Sequence, residues 1–253
     1  MRRSVRYLAV VVALAVTAAA RPPIFSSAAV PSPDAAPRVA EILPSNGALV
    51  GVAHPVVVIF TAAVPATDRA AIERTIRVTS PGNITGRFEW VDDHVVQWVP
   101  VRYWPAHSHV TVSVHELGTG FDTGDALLGV ASISAHTFTV SRNGEVLRTM
   151  PASLGKASRP TPVGTFTVLE KQRSVVMDSR TIGIPLDSSE GYKLTVEYAV
   201  RVTWGGVYVH SAPWSVTSQG NSNVSHGCIN LSPDNAAWYF ERVTIGDPVQ
   251  VVA

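Results

Sequence analysis

The chain has one cysteine, Cys228, in 253 residues. A disulfide framework is therefore excluded, and the fold must rest on its apolar core. Charge is also scarce. Charged residues make up 15%, and 20 basic against 19 acidic side chains leave a net charge of +1. That balance lacks the electrostatic footprint of a nucleic-acid-binding protein. Hydrophobic residues reach 46%, which excludes bulk disorder. No internal repeat relates the two halves, and no low-complexity tract occurs. Eighteen glycines, eighteen prolines, many valines and threonines, and few long helical patterns point instead to a mostly β protein.

The N-terminus reads as a targeting segment. Arg2, Arg3 and Arg6 precede an apolar run over residues 8–20, and small residues follow at 18–20 and 26–29. The run is 13 residues long, short of the roughly 20 that a spanning helix needs. The expectation is a signal peptide or an N-terminal anchor over 1–30, cleaved in the first reading. No cysteine lies nearby, which excludes a lipoprotein anchor. Residues 31–38, rich in Pro, Ala and Ser, read as a linker.

Short strand-like runs then recur at 56–61, 75–79, 86–91, 95–99 and 110–114, punctuated by Pro, Gly, Asn and Asp. Such spacing predicts a β-sandwich over 39–124, with a helical insert at 66–73. Turn residues over 121–129 suggest a domain junction. A second β series follows at 134–140, 145–153, 163–169, 173–177, 198–204, 207–210 and 248–252, making a second domain over 125–253. One helix stands out among these strands. Ser232-Pro233-Asp234 supplies a capping hydroxyl, a proline for the first turn and an acid near the positive helix end.

Chemistry concentrates in Ser225-His226-Gly227-Cys228-Ile229-Asn230. A lone cysteine in an exported chain is either a buried bystander or a reactive thiol. Here His226 stands two residues before it and His210 lies upstream, the residue types of a thiolate nucleophile with a base. Gly205-Gly206 suits a tight hairpin turn between the runs 198–204 and 207–210. Alternation then places Tyr208 and His210 on one strand face and Val207 and Val209 on the other. His210, His226 and Cys228 could also ligate zinc by type, but no Cys-x-x-Cys or His-x-x-x-His pair supports that. Asp92-Asp93 reads as a hairpin turn.

The pattern of a histidine, fourteen intervening residues, then Ser-His-Gly-Cys-hydrophobic-Asn resembles the signature of the L,D-transpeptidase catalytic domain. Thr161-Pro162-Val163-Gly164-Thr165-Phe166 is similar to a second stretch of that family. The resemblance covers about 133–253, and the N-terminal half resembles the bacterial immunoglobulin-like domain that precedes this catalytic domain in some members. The fold expected is therefore mostly β, an Ig-like sandwich followed by a β-rich catalytic domain with one or two short helices. The resemblance implies Cys228 as nucleophile and His210 as base, with the Ser211 carbonyl orienting the ring. Gly227 and Cys228 would lend backbone N–H groups to an oxyanion hole, with His226 lining it. Trp214, Tyr192, Met177, Ser225 and Asn230 would contact substrate or shape its site, with Asn230 fixing the loop. Residues 174–196 would form a lid, in which Ile182 and Leu194 stand where related lids carry polar or aromatic residues. Arg201 and Lys193 are the candidates for a substrate carboxylate.

The implied reaction is attack on the diaminopimelate–D-Ala bond of a tetrapeptide stem, release of D-Ala, and a 3→3 cross-link to a second stem. The implied partners are those peptidoglycan stems and carbapenem-type β-lactams. No cofactor, metal or nucleic acid is implied, and the membrane enters only through the N-terminal segment. The rival readings are a hydrolase acting on the same stems and an envelope-binding module that needs no reactive thiol.

Overall fold

The computed structural model describes residues 37–253. The expected targeting segment at 1–30, and 31–36 of the expected linker, lie outside the described residues.

The first group of strands builds two sheets that pack face to face. One has the order Val39–Leu43, Val56–Phe60, Val95–Pro100, Gly86–Trp90, and the other Leu49–Val50, Leu117–Thr123, His109–Val114, Ile76–Thr79. Alternation drives the arrangement. In Val56–Phe60, Val56, Val58 and Phe60 are buried while Val57 and Ile59 are only partly so, as period-2 side-chain direction requires. Val110, Val112 and Val114 alternate inward from the facing sheet. Trp98 stacks on Trp104 at 5.4 Å, and Trp104 meets the Phe121 edge at 6.0 Å. Large apolar rings thus supply the cohesion that small secreted sandwiches often draw from disulfides. The helical insert shrinks to Arg69–Glu73.

The second group also forms two sheets. One runs Glu145–Pro151, Thr137–Arg142, Leu127–Ser132, Pro248–Val252, Gly164–Thr167. The other runs Glu170–Asp178, Lys193–Arg201, Tyr208–Ser211, Ile229–Leu231. The helix Pro233–Arg242 begins where its capping residues predict, with Ser232 Oγ accepting the Asn235 N–H at 3.4 Å. Its buried Tyr239 meets the Phe138 ring edge-on at 4.9 Å, so the helix closes the core built from Leu154, Val200, Ile229, Leu231 and Val249.

Three local expectations change. Over 121–129 both ends are strand, and only 124–126 connects them. Gly129 is there for closeness, not for turning: a Cβ on it would come 2.6 Å from Phe138 Cζ. The strand expected at 198–204 instead spans Lys193–Arg201. It stops early because Thr203 Oγ1 takes the Val207 N–H at 3.1 Å and widens the Gly205-Gly206 loop. Residues 174–196 are not all lid. Glu170–Asp178 and Lys193–Arg201 pair from Glu170↔Arg201 to Asp178↔Lys193, which leaves 179–192 as the tip.

The two halves meet through main chain. Gly51 N–H donates to Ile245 O and Ala53 N–H to Gly246 O, both at 2.8 Å. Gly51 permits the approach, since a Cβ there would lie 2.1 Å from Asp247 N.

Candidate active site

Tyr208–Ser211 and Ile229–Leu231 run side by side in parallel, with His210 opposite Asn230. Cys228 stands in the bend just before the second strand, and its side chain lines the same cavity as that of His210. Parallel pairing therefore converts residues eighteen apart in the chain into neighbours. His210, Cys228 and Asn230 open into one cavity of about 460 Å³, together with Met177, Tyr192, Leu194, Trp214 and His226.

His210 is held in one orientation. Its Nδ1 donates to the Ser211 carbonyl at 2.7 Å, which leaves Nε2 as the lone-pair nitrogen of the neutral ring. Burial lowers its pKa to about 4. Burial likewise pushes the Cys228 thiol up to about 11, and its Sγ lies 3.6 Å from the Gly206 carbonyl as an S–H donor would. Without substrate, then, the two groups rest as a neutral thiol and a neutral imidazole. Desolvation disfavours the separated charges.

The loop before Cys228 is bound tightly to itself and to its neighbours. Ser225 Oγ donates to the Cys228 carbonyl at 2.6 Å and accepts the Gly227 N–H at 3.1 Å. Of the two backbone donors expected at an oxyanion, that of Gly227 is thus engaged by this hydroxyl. Gly227 sits at φ +123°, a region that favours glycine. Its carbonyl accepts Thr161 Oγ1 at 2.9 Å, and that same oxygen accepts the Gly155 N–H at 2.8 Å. Thr161, read in the sequence only as part of the 161–166 motif, is thus the strut beneath the loop that leads into Cys228. Asn230 Nδ2 donates to Ser215 Oγ at 3.2 Å, while its Oδ1 is buried without a partner.

The remaining expected residues divide by position. Trp214 is 55% exposed and its ring stands 6.1 Å from that of His210, at the cavity mouth. Met177 and Leu194 pack with Cys228 against Val196, Ala199 and Tyr208. Tyr192 stacks obliquely on His226 at 5.3 Å. The His226 pKa is lowered, chiefly by burial and then by Lys156. Arg201 is already occupied: its Nε donates to Glu170 at 2.8 Å, and its guanidinium lies 4.5 Å from the Tyr208 ring centre. Ile182 lines a second cavity of about 300 Å³ that also reaches Cys228 from beneath the tip. Among the described residues, the one group of side chains gathered closely enough for a metal ion is Asp92, Asp93 and His94 on an exposed hairpin, not the histidines and cysteine of this cavity. The amide of Asn223, in a glycosylation-like sequence, is consumed internally by Leu154, His136 and Ile133.

Comparison with known proteins gives a consistent picture. Residues 128–251 match the L,D-transpeptidase catalytic domain family, and 26–119 match the bacterial Ig domain family. L,D-transpeptidase 1 of Mycobacterium tuberculosis is 69% identical over 252 residues, covering 100% of both chains. Among solved structures, an LD transpeptidase in complex with imipenem superposes with a TM-score of 0.83 at 72% identity, covering 86% of this chain and 100% of its own. An L,D-transpeptidase from Mycobacterium smegmatis gives 0.82 at 61% identity, covering 87% and 100%.

Proposed function

The chain belongs to the L,D-transpeptidase family and acts on peptidoglycan, and from that premise we propose that Cys228 is its nucleophile and His210 its base. The observation that carries the assignment is the parallel pairing that brings both into one cavity, with His210 Nδ1 pinned so that Nε2 is free. Cys228 Sγ attacks the carbonyl between diaminopimelate and D-Ala in a tetrapeptide stem, and its proton passes to His210 Nε2. Charge builds on the carbonyl oxygen, where the Cys228 N–H can meet it. The C–N bond then breaks, D-Ala takes the proton from His210, and a thioester remains on Cys228. The side-chain amine of a second stem attacks that thioester and gives up a proton to His210. The thiolate leaves, regains its proton, and the product carries a 3→3 cross-link.

His226 and Tyr192 wall the acyl site, Trp214 borders its mouth, Met177 packs beneath it, and Ser225, Gly227, Ser211 and Asn230 hold the geometry. A β-lactam of the carbapenem type presents a strained amide to the same sulfur, so ring opening would leave a stable acyl group on Cys228. The reaction places the protein in the cell envelope, and the basic and apolar pattern of 1–30 fits export. We place the boundary between the sandwich and the catalytic domain at 124/125. The sandwich then serves to present the catalytic domain to the wall.

The test is intact-protein mass spectrometry on residues 31–253 with a tetrapeptide stem ending in D-Ala, using Cys228→Ala as control. A tripeptide adduct on the wild type alone, with free D-Ala and dimeric stems, is the expected result. Adduct and free tripeptide without dimers would favour the hydrolase. Absence of any adduct on folded protein would overturn the nucleophile assignment.

A further inference from the structure

The tip segment 179–192 is bonded to itself as one body. Ser179 N–H donates to Tyr192 O, Tyr192 N–H to Ser179 Oγ, and Ser179 Oγ to Ile184 O, all within 3.0 Å. Gly191 lets the segment fold back on itself, since a Cβ there would lie 2.4 Å from Pro185 O. Such a unit moves whole, and its position is set by what ties it to the body. Two polar ties run from the loop 155–161. Lys156 Nζ pairs with Glu190 Oε1, and Arg159 Nη1 reaches Ile182 O at 3.4 Å. The second oxygen of Glu190 lies 3.8 Å from His226 Nε2. That nitrogen is buried and has no hydrogen-bond partner. Closing by about 1 Å would make the missing hydrogen bond. Residues 189–192 roof the cavity over Cys228, so the same contact governs the roof and the ring of His226.

We propose that Glu190 is a positioning residue: engaged by Lys156 and facing His226, it latches the tip segment over the nucleophile and sets the orientation of His226 for catalysis. The latch joins three segments far apart in the chain through one carboxylate. The Lys156 hydrogen bond holds that carboxyl below the ordinary carboxylate range. The cluster carries Lys156 and Arg159 against a single carboxylate, so removing or reversing Glu190 leaves the cations facing an uncompensated roof. The inference rests on the transpeptidase reading for its catalytic consequence, but not for the latch itself.

The test uses the described chain with Glu190→Gln, Glu190→Lys and the exchange Lys156→Glu with Glu190→Lys. Each is checked by its thermal unfolding. Two readouts are taken: alkylation of Cys228 by iodoacetamide, and KM and kcat with the tetrapeptide stem. Glu190→Gln should speed alkylation about two- to fivefold, the range open to a partly exposed ion pair, and Glu190→Lys should speed it more. Both should raise KM by a larger factor than they lower kcat. The exchange restores the ion pair but not the carboxylate facing His226, so it should return alkylation toward wild type while kcat stays lowered, which a side chain acting only through bulk would not do. Raising salt from low to about 0.5 M should speed alkylation of the wild type and not of Glu190→Gln. Unchanged alkylation in both single variants, with normal turnover, overturns the latch and leaves the transpeptidase reading intact. Alkylation that follows the charges in a protein that turns over no stem would do the reverse.

Discussion

Replacing Thr161 by Val removes one hydroxyl and almost no volume from a site that is 2% exposed. That hydroxyl spans two main-chain groups, accepting the Gly155 N–H at 2.8 Å and donating to the Gly227 carbonyl at 2.9 Å. Neither group can turn to water. Gly155 is pressed so close that a Cβ on it would lie 2.3 Å from Arg159 O. A buried polar group left without a partner costs about 1–3 kcal/mol, so stranding two should cost about 2–6 kcal/mol. For a chain of this size that lowers the melting temperature by roughly 4–24 °C. Thr161→Ser keeps both bonds and loses one methyl, about 1 kcal/mol, and so separates the hydroxyl from packing. The effect should reach chemistry as well. Gly227 adjoins Cys228, and a nucleophile displaced by about 1 Å can lose two orders of magnitude in rate. Differential scanning fluorimetry gives the first number and the rate of Cys228 acylation by a carbapenem, read by mass spectrometry, gives the second. If Thr161→Val melted within about 1 °C of wild type and acylated at its rate, the strut would not exist as described.

Three further outcomes follow from the same geometry. The neutral resting pair, with His210 near 4 and Cys228 near 11, predicts that alkylation of Cys228 climbs steadily with pH from 5 to 9; a flat rate over that interval would mean a preformed ion pair. Asp247 lies at the seam with its carboxyl pushed up to about 7 by burial, and its neighbours include Lys171 and Asp125. Between the ordinary carboxylate range and 7 the folded state holds a proton that the unfolded state has lost, so stability falls as pH rises through that window. Asp247→Asn keeps the acceptor for the Thr244 N–H, 2.7 Å away, and should gain on wild type steadily from pH 4 to 8; parallel melting curves would sink the argument. Gly227→Ala meets no atom within 4 Å but must adopt φ +123°, so backbone strain alone should cost about 1–3 kcal/mol and slow acylation, and unaltered acylation would show that the loop tolerates another conformation.

What could be read from the chain was whatever is local. The helix at Pro233–Arg242 announces itself because capping hydroxyl, proline and acid act within one turn. The inward alternation of Val56, Val58 and Phe60 is equally local. The spacing of His210 and the Ser225–Asn230 run carried the family resemblance, and with it the expected nucleophile and base. Glycines were harder, because one residue type serves two purposes. Gly129 looks like a turn and is a strand residue under Phe138. Thr203 ended a strand by a side-chain bond that no alternation pattern records.

The sequence by itself determined the β class, the helix, and the Ser225–Asn230 run that carries the family resemblance, since each depends on neighbours in the chain. Tertiary structure alone decided how those residues work. Parallel pairing put His210 beside the strand that follows Cys228, burial drove their proton affinities apart, and Thr161 came to lie under Gly227. Lys156, Glu190 and His226 met although 34 residues separate the first two and 36 the last two. Contacts of that kind depend on how strands stack and loops cross, and proton affinities depend on the solvent that packing removes, so neither is written in the local pattern of residues.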